Sequence, residues 1–316
     1  MAKAKEKPVV RKRRVWDQIY RDRYLYIMFI PVAIWYILMF YRPMKGILMA
    51  FQDYRPFLGI EGSEWVGFKH FTEFFTKNPY AWRLIRNTLM INVYSILFTF
   101  PIPIILALLF NELRSKAYKT AVQTVSYMPH FISSVIVAGL VVTMLSPSAG
   151  IINLLLEKLG FEKVYFLTKP EYFRTIYITM NAWVGAGFSS IIYTSAICSI
   201  DESLYEAAMI DGASRFQRIW HITLPGIIST IAIMLLTKIG GLLSVGSDTI
   251  ILLYQPITYE TADVISTYTY RIGLTAQGDP QFSSATAVGL MNSVISLILV
   301  VGANYFSKKT TEAGLF

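Results

Sequence analysis

The chain has 316 residues, 54% hydrophobic, 15% aromatic and only 16% charged, with a formal net charge of +9. Soluble domains carry about a quarter charged residues, and here the charges sit in blocks between long uncharged runs, which excludes an ordinary soluble globule and marks a polytopic membrane protein. Much of the positive excess lies in Lys3, Lys5, Lys7, Arg11, Lys12, Arg13, Arg14, Arg21 and Arg23, a basic tail before an apolar run, which signals cytoplasmic retention rather than nucleic-acid binding. Cys198 is the only cysteine and His70, His130 and His221 are scattered, so neither an internal disulfide nor a metal site is expected.

An uncharged stretch of about 18 or more residues is long enough to cross a bilayer as a helix. The first is Tyr24–Tyr41. It exceeds the apolar core of a secretory signal (about 7–15 residues), lacks a small-residue cleavage site and is followed by more such runs, so it reads as an uncleaved first span. Asn87–Asn111 is the second. Ala121–Leu156 is too long for one crossing; Ser146-Pro147-Ser148-Ala149-Gly150 is expected to end that helix, and Ile151–Leu156 to begin a short external amphipathic piece. Thr175–Ile200 follows, then Pro225 to about Tyr254, interrupted by Lys238 and Asp248, and finally Phe282–Phe306. Pro31, Pro101, Pro103 and Pro129 are expected to bend or break their helices.

These runs predict an all-α polytopic membrane protein of six transmembrane helices. Residues 1–23 form a basic tail and 24–316 the six-span domain, with an inner loop at 201–225 and a terminal tail at 307–316. With both termini inside, the cytoplasmic segments hold the tail basics plus Arg114, Lys116, Lys119, Arg215, Arg218, Lys308 and Lys309, a larger set than the outer segments hold. That is the positive-inside bias of a multi-pass protein of the cytoplasmic membrane.

The inner segment between the fourth and fifth spans is the most informative stretch, running from Asp201 through Glu206-Ala207-Ala208, Asp211-Gly212-Ala213 and Trp220 to Leu224-Pro225. Local chemistry predicts two short helices joined by a turn. Ser203 and Glu206 fit a capping box, Gly212 suits the left-handed residue that ends a helix, and Ser214 with Gln217 offers a second box. Phe216, Ile219 and Trp220 then share one helical face, and Pro225 suits the first turn of the next span.

Glu206-Ala207-Ala208, Asp211-Gly212-Ala213, Ile222 and Leu224-Pro225 closely resemble the EAA loop of type I ABC importer permeases. Trp65-Val66-Gly67 with Phe71, Asn87-Thr88-Leu89, Tyr127-Met128-Pro129 and Tyr268-Thr269-Tyr270-Arg271 resemble the corresponding segments of sugar permeases, most of all the branch handling oligosaccharides or polysaccharide fragments. The resemblance implies the type I importer permease fold. It further implies that the loop forms coupling helices in a cleft of an ATPase subunit, with Glu206 in contact and Gly212 at the turn. Glu206, Ala207, Ala208, Asp211, Gly212, Ala213, Phe216, Trp220, Leu224 and Pro225 would form that contact.

No G-x-x-x-x-G-K-[ST] occurs, so the chain is not expected to bind ATP through a P-loop or to be an enzyme itself. The resemblance implies two ATPase subunits that bind ATP and Mg, a second related permease (a homodimer being the alternative), and an extracellular or periplasmic sugar-binding protein. A lone secondary carrier would show repeat symmetry and an intramembrane ionisable relay, and a membrane glycosyltransferase would show paired carboxylates beyond those of the loop. A sensor subunit using the same loop is the third alternative.

Sugar sites combine aromatic faces with hydrogen-bonding groups, and polar groups inside spans tend to face cavities. The fourth span offers Asn181, Trp183, Ser189, Ser190, Tyr193 and Thr194; the fifth offers Ser244, Ser247 and Asp248; the last offers Asn292, Ser293 and Ser296. Helix–helix hydrogen bonding is the competing role for most of these. Lys238 reads first as paired with a neighbouring subunit or satisfied structurally, with an acidic sugar as the alternative. Gly240-Gly241 beside it would allow bending or close packing.

Overall fold

The structure, a computed structural model, describes residues 20–241, 247–275 and 279–311. Most of the expected basic tail and the end of the terminal tail lie outside the described residues. The first apolar run is continuously helical as α1 (Arg23–Phe51), ten residues beyond the expected boundary at Tyr41. A two-residue hairpin, β1 (Gln52–Asp53) against β2 (Glu64–Trp65), leads to α2 (Lys69–Thr76) and then to α3 (Ala81–Asn111). Next come α4 (Lys116–Phe131), α5 (Ser134–Met144), the expected short α6 (Ile151–Lys158) and α7 (Pro170–Ile197). The inner loop supplies α8 (Glu202–Ile210) and α9 (Arg215–Gly226), followed by α10 (Ile228–Gly240), α11 (Ser247–Leu253), α12 (Ile265–Gly273) and α13 (Phe282–Thr311).

Helices α1, α3 and α13 are each long and apolar enough to cross a membrane. The pairs α4–α5, α7–α8 and α9–α10 pass the same test together, bent by 97°, 75° and 61°. The chain is therefore a multi-pass helical membrane protein. Its ends are fixed by long-range contacts. Arg215 lies 3.9 Å from Glu112, placing the α3–α4 turn beside α9 at one end, and the Tyr54 N–H donates to Ser283 Oγ at the other.

Proline chemistry explains where the helices depart from α geometry. A proline lacks the N–H that would pair with the carbonyl four residues back and crowds that carbonyl. Wide π turns occur at Ile37–Tyr41, Ser95–Thr99 and Ile219–Thr223, and each immediately precedes a segment with proline in its first two positions: Pro43, Pro101 and Pro225. Pro129 opens a 3-10 turn at Met128–Phe131, after which Ser133 caps α5 by accepting from the Val135 N–H. Those two residues together make the sharpest bend. Pro31 departs from expectation: it sits inside unbroken α-helix.

Two clusters of buried side chains meet on α7. Toward the Tyr54 end, Phe173, Tyr177 and Met180 pack with Ile91, Val137, Ile250 and Val264; toward the loop end, Tyr193 and Ile197 pack with Ala107 and Ile227. Gly187 lets α7 lie directly on α4, for a Cβ there would strike the backbone of Ser126. By contrast, α1 from Arg23 to Tyr41 buries no residue of its own.

The end bearing Tyr54 is locked by a polar node. Asp263, 0% exposed, accepts from both Arg271 nitrogens at 3.0 and 2.6 Å and from Thr267 at 2.9 Å, with Arg83 at 3.9 Å. Burial works against the Arg271 charge, but the Asp263 carboxylate outweighs it and raises the guanidinium pKa. Asn87, fully buried, donates to the carbonyls of Glu260 and Asp263 and accepts from Arg174 at 2.9 Å. These bonds tie the 256–264 segment to α3 and α7 and give the Glu260 and Asp263 carbonyls a donor.

Candidate functional site

Two places in the structure carry the residues singled out by sequence. The first is the α8–α9 helix pair. Its opening cap is Asp201 rather than Ser203: the Ser203 N–H donates to Asp201 Oδ1 at 3.0 Å, and that bond holds the Asp201 carboxyl below its usual range. An aspartate preceding the helix accepts the orphan amide directly, so Ser203 falls inside the helix instead.

At the other end of α8, Gly212 adopts φ +76°, the left-handed conformation a side chain disfavours. The Ala213 N–H reaches the Ala208 carbonyl at 2.9 Å and the Gly212 N–H reaches Met209 at 3.1 Å. This double closure satisfies the carbonyls of the last turn. The second capping box forms as expected: Gln217 N–H donates to Ser214 Oγ at 3.3 Å and Ser214 N–H to Gln217 Oε1 at 2.7 Å. The Phe216 and Trp220 rings stack with centroids 6.3 Å apart.

The result is a rigid element with an uncovered apolar face. Ile210 is 86% exposed, Phe216 72% and Trp220 59%, with Leu204 and Met209 exposed beside them. Glu206, Ala207, Asp211 and Gly212 are exposed, Ala208, Ala213 and Leu224 half-buried, and Pro225 exposed. A concentration of apolar surface on well-capped helices marks an interaction surface. Sequence reading did not find Tyr205, whose hydroxyl lies 3.0 Å from that of Thr223 and joins α8 to the π turn of α9.

The second place is a cavity of about 410 Å³ between α3, α7 and α10, flanked on α7 by Tyr177 and Tyr193, one from each buried cluster. Of the sequence candidates it brings together Ser189, Tyr193 and Lys238. Asn181 instead donates to the Tyr177 carbonyl at 2.7 Å, Thr194 to Ser190 and Ser190 to Gly187, all within α7. Trp183 lines a separate apolar hollow with Leu140 and Met144. Asp248 on α11 and Asn292, Ser293 and Ser296 on α13 stand outside the cavity lining, Ser293 donating to Gly289. Ser244 lies outside the described residues, and Ser247 begins α11.

The second span supplies what the sequence candidates lacked: Asn92, Ser95 and Thr99 line the cavity with Tyr177. Their signal was present as a polar stripe at spacings of three and four residues inside an apolar run, which puts them on one helical face. Gly240 lies close to α13, where a Cβ would come within 3.2 Å of Val300, and Gly241 ends α10. Among the described residues no group of His, Cys, Asp and Glu side chains is placed to hold a metal ion.

A multi-pass bundle with a capped helix pair at one end and a cavity between its helices that mixes apolar and polar groups is the architecture of a transport subunit. The chain belongs to the family of binding-protein-dependent transport system inner membrane components, which matches residues 99–312. It is 44% identical over 296 residues to protein LplB of Bacillus subtilis (strain 168), covering 94% of this chain and 92% of that one. It is 46% identical over 306 residues to YteP of the same organism, a polygalacturonan/rhamnogalacturonan transport system permease, covering 97% and 94%. Among solved structures it is similar to a chain of a bacterial ABC transporter involved in importing the acidic polysaccharide alginate. That likeness has a TM-score of 0.87 and 51% identity over 95% of this chain and all of the other. A second structure of a bacterial alginate transporter, in complex with a periplasmic protein bound to an alginate pentasaccharide, matches with TM-score 0.87 and 50% identity over 96% of this chain.

Proposed function

We propose that this chain is one permease subunit of an ATP-driven importer that moves an oligosaccharide into the bacterial cytoplasm. The observation that carries the reading is the α8–α9 pair, a preformed element whose caps leave its apolar face uncovered. That face fits a groove on an ATPase subunit, with Glu206 and Asp211 at its polar margin and Ala207 and Ala208 allowing close approach. Two such ATPases bind ATP and Mg, and a second permease completes the membrane assembly. A sugar-binding protein delivers cargo at the opposite face, in keeping with the alginate transporter seen with its periplasmic protein.

The orientation follows from charge: α8 and α9 face the cytoplasm, where both termini also lie. ATP-driven closure of the ATPases displaces the helix pair, and the short link from α9 across the 61° bend at Ile227 to α10 passes that displacement to a helix lining the cavity. Alternating access then exposes the cavity to either side in turn.

The test is ATP hydrolysis by the full assembly in proteoliposomes, with and without sugar-loaded binding protein. Wild type should be stimulated severalfold, and Glu206→Lys should lose ATPase association or stimulation while still inserting in the membrane. If the chain recruits no ATPase, and Glu206→Lys behaves as wild type, the importer reading fails.

A further inference from the structure

Lys238 is, among the described residues, the only formally charged side chain lining the cavity between α3, α7 and α10. Among the described residues it has neither a hydrogen bond nor an ion pair, although its helix is embedded in the membrane-spanning bundle. An ammonium in such surroundings is costly unless an anion meets it, and intramembrane charges mark ligand paths for that reason. Asn181, Ser190 and Thr194 on α7, by contrast, all bond within their own helix.

The rest of the cavity has the chemistry of a sugar site. Tyr177 and Tyr193, both largely buried, contribute aromatic edges to its α7 wall. Asn92, Ser95 and Thr99 line it along one face of α3; Asn92 and Thr99 donate to the Thr88 and Ser95 carbonyls at 2.6 Å, and the Ser95 and Thr99 hydroxyls stand 3.1 Å apart, so these side chains meet cargo chiefly as acceptors. The volume, about 410 Å³, lies within the range of small-ligand sites. Neutral sugar hydroxyls would use those groups and leave the Lys238 charge uncompensated. A carboxylated ring uses both.

The geometry points to Lys238 as a cargo-binding residue that takes the carboxylate of a uronate-containing oligosaccharide. This rests on the sugar-import reading above and narrows its cargo to acidic sugars. Lys238 acts as a specificity residue: it supplies charge complementarity, while the tyrosines and the α3 stripe hold the ring in either case.

The test uses the assembled transporter and two matched probes, a galacturonate tetrasaccharide and its carboxyl-reduced counterpart. Binding to the purified assembly is measured by calorimetry without binding protein, and uptake is measured in proteoliposomes with it. Wild type should bind the acidic probe at least tenfold more tightly than the reduced one. Lys238→Gln should abolish that difference while keeping affinity for the reduced probe, and Lys238→Arg should retain most of the difference. Equal losses on both probes in Lys238→Gln would overturn the assignment and place the lysine in structure or against the second permease. A wild type that binds both equally would overturn it as well. If neither probe is bound or taken up, while another solute is, the sugar-import reading itself falls.

Discussion

The hydroxyls of Tyr205 and Thr223 lie 3.0 Å apart, and Thr223, 1% exposed, also reaches the Arg218 carbonyl. One bond thereby closes the α8–α9 pair onto the start of the fifth apolar run. Tyr205→Phe removes it at a cost of about 1 kcal/mol. Stimulated ATP hydrolysis should fall severalfold with membrane levels unchanged, and amides of residues 202–210 should exchange faster. Unchanged stimulation would mean that the tie does not transmit movement.

Gly212 tests the turn itself. No atom lies within 4 Å of a Cβ built there, so substitution is opposed by backbone conformation alone, at φ +76°. Gly212→Ala should cost about 1–2 kcal/mol of local stability, and Gly212→Asn less, because asparagine tolerates the left-handed region. The ordering Gly, Asn, Ala in ATPase affinity is the expected result.

Gly187 and Gly185 form a matched pair on α7. A Cβ at Gly187 collides with the backbone of Ser126 and Tyr127, whereas one at Gly185 meets nothing within 4 Å. Gly187→Ala should lower the melting temperature of the purified protein by several degrees, since two backbones rather than a flexible side chain must separate. Gly185→Ala should leave it within about a degree.

Asp263→Ala would leave Arg271 and Arg83 without their shared carboxylate. Breaking a buried ion pair from one side costs about 3–5 kcal/mol, so this variant should be the most destabilised of those named here. Arg83→Gln, which removes the 3.9 Å contact and the guanidinium stacked over Tyr80 but leaves Asp263 paired with Arg271, should cost far less. Thermal unfolding in detergent distinguishes them.

Proton concentration should act on the segment that carries β1 and β2. The Lys69 ammonium, hydrogen-bonded at 3.0 Å, holds the Asp53 carboxyl below its usual range, against a smaller effect of burial. A lowered carboxyl pKa means that the contribution is present at neutral pH and is lost as pH falls below about 4. Both groups are well exposed, so the effect is modest and weakens with salt. Protection of the amides of residues 52–70, taken relative to their intrinsic exchange rate at each pH, should fall between pH 6 and pH 3.

Much of this architecture was legible because each apolar run and each cap is local. Ser214 with Gln217, the left-handed Gly212 and the helix starting at Ile151 all follow from a few neighbouring residues. The break at Pro129 was legible from the proline, but its sharpness, 97° between α4 and α5, was not, because Ser133 must also cap a new helix in a new direction. The cavity was half legible. Candidates came from spans four to six, while Asn92, Ser95 and Thr99 from span two complete it, a juxtaposition that depends on which helices pack together. The Asp263 node joins residues as far apart as Arg83 and Arg271, beyond the reach of any local rule.

Helix α1 from Arg23 to Tyr41 buries no side chain against the rest of the chain. Its sequence is therefore almost silent with respect to this chain's own folding. Exchanging Trp35 or Phe40, each about half exposed, for another large apolar residue alters only ring contacts within α1 itself. Any functional defect mapped to these positions would report on whatever surrounds the helix, lipid or a neighbouring subunit. That makes α1 a natural place to attach a spectroscopic probe of the assembly's surroundings without disturbing its machinery.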